Sequence, residues 1–136
     1  MRRDRPMFVY VEDDVQSCRI MEILLKDLMG FSELTTFDNT SALLEKLDTL
    51  PKIPNVIFLD IRMHPHNGYE VLSMLKSESR YADVVVIALT AHVMVNDVEH
   101  LKTAGFSGLI GKPIIKEVFP NLVEKILAGE SVWFIP

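Results

Sequence analysis

The chain has 136 residues, of which 49% are apolar, enough for one domain with its own core and too many for a disordered tail. Its net charge of −5 argues against nucleic-acid binding, because phosphate contacts need a basic surface. The single cysteine, Cys18, excludes an internal disulfide framework and favours a reducing, cytoplasmic setting. The longest apolar run, 84–89, is too short to span a membrane, and the run 7–11 is too short for a signal peptide.

Short apolar runs rich in β-branched residues alternate along the chain with longer segments of helical periodicity. Such runs are typical of strands buried on both faces. They predict strands at 8–11, 56–59 and 84–89, and the segments 34–37 and 108–110 are two further strand candidates.

Apolar residues at helical spacing predict one helix after each strand. The residues that carry this spacing are Cys18, Met21, Leu25 and Leu28; Leu43, Leu44, Leu47 and Leu50; Val71, Leu72 and Leu75; Met94, Val98 and Leu101; and Ile115, Phe119, Leu122 and Ile126. Asp14 is the predicted N-cap of the first helix, and Gly105 ends the fourth. The fifth is predicted to begin near Lys116, because Pro120 is tolerated only in the first turn of a helix.

Five strands that alternate with five helices predict an α/β fold, a parallel sheet with helices on both faces. We expect one domain over residues 7–128 and a C-terminal tail over 129–136, which breaks the helical pattern. The tail either packs back on the domain, with Trp133 as its anchor, or leads into a further segment.

Polar residues that could act together in one site lie at or just beyond the ends of the first, third, fourth and fifth predicted strands. They are Glu12, Asp13 and Asp14 after the first strand, Asp60 after the third, Thr90 after the fourth and Lys112 after the fifth. Because ligands of open parallel sheets bind at the carboxyl ends of the strands, these side chains are expected to share one edge.

This set of side chains suits phosphoryl transfer. Crowded carboxylates favour binding of Mg²⁺, and a carboxylate can attack a phosphoryl group to give an acyl phosphate. A lysine neutralises the transferred group, and a threonine hydroxyl can donate to it. Alone, each residue has a simpler explanation: a helix cap for Asp13 or Asp14, a strand-end hydroxyl for Thr90, a solvated lysine for Lys112. Their shared position at strand ends favours a site.

Four segments together resemble the receiver domain of two-component response regulators. They are Val-Glu-Asp-Asp at 11–14, Leu-Asp-Ile-Arg-Met at 59–63 with Asn-Gly at 67–68, Ala-Leu-Thr-Ala at 88–91, and Gly-Lys-Pro at 111–113. The similarity covers about residues 7–127. It implies a single-domain, chemotaxis-receiver-like protein with a flavodoxin-like five-stranded sheet, a (βα)5 unit of strand order 2-1-3-4-5.

The resemblance implies that Asp60 is the phosphoacceptor of a Mg²⁺-dependent reaction. The implied metal ligands are Asp60, Asp13, the backbone carbonyl of Arg62, and Glu12, which acts partly through water.

The phosphoryl oxygens are implied to be held by Thr90, the Ala91 N–H and Lys112, and the Lys112–Pro113 bond is implied to be cis. The implied donor is a phosphohistidine on a sensor histidine kinase or a histidine phosphotransfer protein. The output is a changed contact with a downstream protein, without direct nucleic-acid binding or membrane insertion. Such a phosphoacceptor promotes its own phosphotransfer and slow self-dephosphorylation and is not an enzyme in the usual sense.

Two positions depart from the family pattern. His64 stands directly after Met63, where proline is usual, and Pro65 follows it. Leu109 stands where the family commonly has an aromatic residue, so we expect the readout of phosphorylation, but not the chemistry, to differ.

Arg62 and His92 lie two residues after Asp60 and Thr90 respectively. Both are bulky, and we expect them to flank the path of an attacking water and make the phosphorylated form long-lived.

Three alternatives compete with this interpretation. A haloacid-dehalogenase-like phosphohydrolase needs an acid two residues after its nucleophile, where this chain has Arg62. A pseudo-receiver that only binds proteins is disfavoured by the intact set of site residues. A flavodoxin needs a Ser/Thr-rich phosphate loop after the first strand, and Glu12, Asp13 and Asp14 stand there.

Overall fold

The computed structural model of the chain describes residues 5–91 and 94–136. Its strands are β1 (Met7–Val11), β2 (Glu33–Phe37), β3 (Val56–Leu59), β4 (Val85–Thr90), β5 (Gly108–Gly111) and β6 (Trp133–Phe134). Its helices are α1 (Val15–Glu22), α2 (Leu43–Asp48), α3 (Gly68–Lys76), α4 (Val95–Ala104) and α5 (Phe119–Leu127). A π-helical segment, Ile23–Leu28, continues α1.

The strands form one parallel sheet in the order β2-β1-β3-β4-β5-β6. The predicted α/β class and the order 2-1-3-4-5 are therefore confirmed. Every residue of β1, β3 and β5 is buried, as expected for strands covered by helices on both faces. One face packs against α2, α3 and α4, and the other packs against α1 and α5.

Local signals place several helix ends where the sequence predicts them. Asp14 caps α1, since its carboxylate accepts a hydrogen bond of 3.1 Å from the Ser17 N–H. Gly105 ends α4 with a φ of 106°, a left-handed conformation that suits glycine. The fifth helix begins at Phe119, three residues later than predicted, with Pro120 in its first turn.

The sheet has six strands instead of the predicted five, because the C-terminal tail adds β6 to the edge of β5. Trp133 pairs with Leu109, and the Leu109 N–H donates to the Val132 carbonyl at 2.7 Å. A Cβ at Gly108 would lie 2.5 Å from that carbonyl oxygen, so glycine permits this close approach.

Trp133 holds the tail against the domain. Its ring packs beside the core on the α4 face, and the Lys102 ammonium of α4 lies 5.2 Å from the ring centroid, within cation–π range. The tail thus packs back on the domain with Trp133 as its anchor, which is one of the two arrangements predicted for it. The division into a domain of residues 7–128 and a tail of 129–136 stays a prediction.

Within residues 5–91 and 94–136, no helix is both long enough and apolar enough to cross a membrane.

Candidate functional site

The strand register brings the predicted site residues to one edge of the sheet. Val11 pairs with Leu59, so Glu12 and Asp60 follow from neighbouring strands. The Asp60 N–H donates to the Val11 carbonyl at 3.1 Å, which continues the ladder one residue beyond the strand. In the same way, the Lys112 N–H donates to the Thr90 carbonyl at 2.8 Å.

A carboxylate–lysine cluster of Glu12, Asp60 and Lys112 lies at this edge. The Lys112 ammonium donates to Asp60 Oδ2 at 3.0 Å and also to Glu12 Oε1. Glu12 is only 2% exposed and Asp60 only 8%, so the ammonium lies between two poorly solvated carboxylates. Burial lowers the pKa of Lys112, but its hydrogen bonds to Glu12 and Asp60 outweigh burial and raise that pKa above its usual value. The lysine therefore stays charged at neutral pH.

Both oxygens of Asp60 are held in place. Oδ1 accepts a hydrogen bond of 3.0 Å from the Arg62 N–H, while Oδ2 accepts from Lys112. Burial raises the pKa of Asp60, and these two donors oppose that rise only in part. A carboxylate that is largely desolvated and fixed in orientation is suited to nucleophilic attack.

Glu12 is held by donors on both of its oxygens. The buried Tyr10 hydroxyl donates to Oε1 at 3.0 Å, and the Asp14 N–H donates to Oε2 at 3.2 Å. Tyr10 was not predicted as a site residue, because it lies within the apolar run of β1 and looks there like any core aromatic.

Thr90 and Ala91 border a cavity of about 230 Å³ that is also lined by the two residues that follow Asp60 and that reaches α3 and α4. Its lining residues are Ile61, Arg62, Tyr69, Thr90, Ala91, Asp97 and Leu101. The buried Thr90 hydroxyl donates to the Ala91 carbonyl at 3.4 Å, a long bond that is easily exchanged for a better acceptor. A group in this cavity would therefore meet the threonine hydroxyl.

The oxygen ligands near Asp60 suit a Mg²⁺ ion that is held by few protein groups and otherwise by water. Over the described part of the chain, no group of three or more His, Cys, Asp or Glu side chains is arranged to hold a metal ion. Mg²⁺ nevertheless usually keeps several waters and needs only one or two carboxylates. Asp13 is exposed at the same edge, and with Asp60 and the Arg62 carbonyl it would supply such a set. The assignment of these ligands, and of Glu12, stays a prediction.

Thr40, a buried residue in the loop after β2, holds the segment that contains Pro65. The Thr40 N–H donates to the His64 carbonyl at 3.0 Å, and the Thr40 hydroxyl donates to the His66 carbonyl at 2.8 Å. The His64–Pro65 bond is cis, as is the Lys112–Pro113 bond predicted to be so. Thr40 thus fixes the loop path beside Asp60, and this contact across 26 residues leaves no local sequence signal.

The Asn67–Gly68 motif starts α3 close behind Asp60. Asn67 and Glu70 form a capping box, in which each side chain accepts a hydrogen bond from the other residue's N–H at 2.9 Å. A Cβ at Gly68 would lie 2.9 Å from the Ile61 Cα, so only glycine fits there without a shift of the backbone.

Leu109 is fully buried, with 0% exposure. It pairs with Ala88 of β4 on one side and Trp133 of β6 on the other. In this structure the Leu109 side chain is thus already packed within the sheet. The altered readout of phosphorylation at this position stays a prediction.

Of the two residues predicted to hinder attack of water on phosphorylated Asp60, the structure describes only Arg62. Arg62 is exposed at its side chain and binds Asp60 through its backbone. His92 lies outside the described residues, so the prediction of a long-lived phosphorylated form stays a prediction.

An apolar groove opens next to the carboxylate–lysine cluster. It has a volume of about 410 Å³ and is lined by Ser17, Ile20, Ala91, Lys112, Pro113 and Ile114. Ile20 on α1 is 46% exposed there. The groove therefore joins an exposed apolar face of α1 to the lysine that contacts Asp60.

The chain is similar in sequence to a known family and to several known proteins. The family model of the response regulator receiver domain matches residues 8–124. The polar-differentiation response regulator DivK of Brucella ovis is 34% identical over 104 residues, which are 76% of this chain and 81% of DivK. The signal transduction histidine-protein kinase BarA of Escherichia coli K12 is 28% identical over 122 residues, which are 90% of this chain. The chain spans only 13% of the length of BarA.

Among solved structures, the chemotaxis response regulator CheY4 of Vibrio cholerae has a TM-score of 0.78 at 20% identity. The match covers 89% of this chain and 98% of CheY4, and it shows a shared fold. The phosphohydrolase, pseudo-receiver and flavodoxin alternatives are not favoured by these matches. Because the family model spans most of the chain and DivK matches at 34% identity, the chain belongs to the response regulator receiver domains, the phosphoacceptor switch domains of two-component systems.

Proposed function

We propose that this receiver takes a phosphoryl group from a phosphohistidine onto Asp60 in a Mg²⁺-dependent reaction and thereby changes its contacts with other proteins. The observation that supports this most is the environment of Asp60. Its carboxylate is buried, oriented by two donors at 3.0 Å, and adjacent to a charged lysine.

In the proposed reaction, one Asp60 oxygen forms a bond to phosphorus while the P–N bond of the phosphohistidine breaks. The bonding electron pair returns to the imidazole nitrogen. Lys112 moves its hydrogen bond from Asp60 to a phosphoryl oxygen, and the Thr90 hydroxyl and Ala91 N–H donate to others from the adjoining cavity. Receiver domains typically bind Mg²⁺ at this site; held by Asp13, Asp60 and the Arg62 carbonyl, the ion would neutralise phosphoryl charge.

The chain supplies both the acceptor and the groups that stabilise the transferred phosphoryl. It therefore promotes its own phosphorylation and slow hydrolysis of its own acyl phosphate, without turning over a separate substrate. This is the sense in which the proposal makes it a switch and not an enzyme.

Asp60→Asn is expected to abolish phosphorylation, because an amide cannot form the acyl phosphate. We would incubate the wild type and the variant with acetyl phosphate and Mg²⁺ and measure intact mass. The wild type should gain one phosphoryl group and Asp60→Asn none. Asp38 is an exposed aspartate directly after β2, so Asp38→Asn is a matched control that should still gain the group. An adduct that persists in Asp60→Asn, or its absence from the wild type, contradicts the proposal.

We further propose that the donor, a sensor histidine kinase or histidine phosphotransfer protein, docks a helix across the groove between α1 and the loop after β5. The groove reaches Lys112, so an apolar helix seated there places its phosphohistidine near Asp60. Ile20 and Ile23 also expose apolar surface along this side of the molecule, which is typical of a protein-binding face. The reducing cytoplasm is the proposed location, in keeping with the single cysteine.

Ile20→Asp is expected to slow transfer from an autophosphorylated sensor histidine kinase by roughly tenfold or more, because a charge would be buried against the donor helix. Phosphorylation by acetyl phosphate, which needs no docking, should be unchanged. Ile53→Asp is the matched control, since Ile53 is similarly exposed but precedes β3 at the opposite end of the sheet; both rates should stay at wild-type level. An equal loss with both donors would place the defect in the site itself and reject the docking surface.

A further inference from the structure

The hydroxyl of Tyr10 reaches the carboxylate–lysine cluster from inside the core. Tyr10 lies within β1, is fully buried, and packs its ring edge-on against Phe58 with centroids 6.5 Å apart. Alternate residues of a strand share a face, so Tyr10 and Glu12 project to the same side of the sheet. The tyrosine ring is thus fixed by packing, and its hydroxyl lies 3.0 Å from Glu12 Oε1.

Both carboxylate oxygens of Glu12 are occupied by hydrogen bonds within the protein. Its Oε1 accepts hydrogen bonds from Tyr10 and Lys112, and its Oε2 accepts one from the Asp14 N–H. A carboxylate has about four acceptor positions, and three of those of Glu12 are taken. In this arrangement Glu12 acts mainly as the counter-ion of Lys112.

Lys112 needs such an anchor because a lysine side chain is long and has rotatable bonds throughout. The glutamate that anchors it also has more torsional freedom than an aspartate would have. The hydrogen bond from the Tyr10 hydroxyl restricts the Glu12 side chain. The bond itself costs little conformational entropy on the tyrosine side, since packing already immobilises the ring.

We propose, on the basis of the function proposed above, that Tyr10 is a positioning residue for phosphoryl transfer. Through Glu12 it holds the Lys112 ammonium where that group meets Asp60 and the incoming phosphoryl oxygens. Tyr10 touches neither the phosphoryl group nor the metal. Its effect passes entirely through the Glu12–Lys112 contact.

Tyr10→Phe removes the hydroxyl and keeps the packed ring. Its phosphorylation rate with acetyl phosphate at saturating Mg²⁺ should fall by roughly tenfold, the effect of one hydrogen bond to a charged group. In a Lys112→Ala background the same change should have no further effect, because no lysine remains to be positioned.

A spectroscopic measurement tests the positioning directly and does not depend on activity. In ¹H–¹⁵N spectra of lysine ammonium groups, Lys112 should give a signal protected from exchange, identified by its loss in Lys112→Ala. Tyr10→Phe should broaden or remove this signal because the ammonium becomes mobile.

Tyr81→Phe is the matched control. Tyr81 is also buried, and its hydroxyl donates to Asp48 Oδ1 at 2.6 Å, far from the cluster in sequence and on other elements. This variant loses the same kind of bond but should keep the phosphorylation rate and the Lys112 signal of the wild type.

Equal rates and equal Lys112 signals for Tyr10→Phe and Tyr81→Phe would overturn the inference, while the wild-type adduct would still support phosphorylation of Asp60. A slowing by Tyr10→Phe that persists in the Lys112→Ala background would also overturn it, because Tyr10 would then act by another route. Failure of the proposed function is recognised separately, by the absence of an adduct on the wild type.

Discussion

Replacing Lys112 with alanine is expected to slow phosphorylation of Asp60 by about 100-fold or more, the usual effect of removing one preorganised donor from developing charge. Lys112 is the only side chain of the described residues whose ammonium contacts both Asp60 and Glu12. The rate is measured by intact mass after incubation with acetyl phosphate and Mg²⁺.

The same variant should also be less stable. Glu12 is buried, and removal of Lys112 leaves this buried carboxyl group without its partner, which reduces the free energy of unfolding by about 3 kcal/mol. Urea denaturation measures this loss. Lys116→Ala is the control: Lys116 is exposed four residues further on, so its rate and stability should match the wild type. A wild-type phosphorylation rate in Lys112→Ala would show that the lysine serves only to neutralise Glu12.

Asp13→Ala is expected to abolish Mg²⁺-dependent phosphorylation while leaving the fold intact. Asp13 is exposed at the site edge, so its loss should change the free energy of unfolding by no more than about 0.5 kcal/mol. The loss of a charged oxygen ligand should by contrast greatly weaken Mg²⁺ binding. Titration calorimetry with Mg²⁺ and phosphorylation rates with and without the ion measure the two effects.

Asp14→Ala is the control for Asp13→Ala, because it removes the neighbouring carboxylate. Asp14 accepts hydrogen bonds from the Ser17 N–H and hydroxyl at the start of α1, so its loss should lower the urea midpoint and leave Mg²⁺ binding unchanged. If Asp13→Ala still binds Mg²⁺ and is phosphorylated normally, Asp13 is not a metal ligand.

The strands and the position of the site could be predicted because the signals are local. Continuous apolar runs mark β1, β3 and β4, and the residues that end them lie at one edge of any parallel sheet. Strand order came from the family resemblance, since nothing within the runs specifies which strands are neighbours.

What the sequence pattern missed depends on contacts between distant residues or on irregular helix geometry. The two-residue β6 is too short to show a period, and Tyr10 is hidden within an apolar strand. Leu28 was predicted to lie on the apolar face of the first helix but is 53% exposed. The π-helical segment Ile23–Leu28 has more residues per turn than an α-helix, so the 3.6-residue spacing no longer holds there.

The most direct test of phosphorylation at Asp60 is chemical mapping of the acyl phosphate. Borohydride reduces an acyl phosphate to an alcohol, so a phosphorylated aspartate becomes homoserine, which peptide mass spectrometry locates in the sequence. After treatment with acetyl phosphate and Mg²⁺, conversion is predicted at Asp60 alone. Conversion at Glu12, Asp13 or Asp14, or an unmodified Asp60 in protein that carries the phosphoryl mass, would contradict the account.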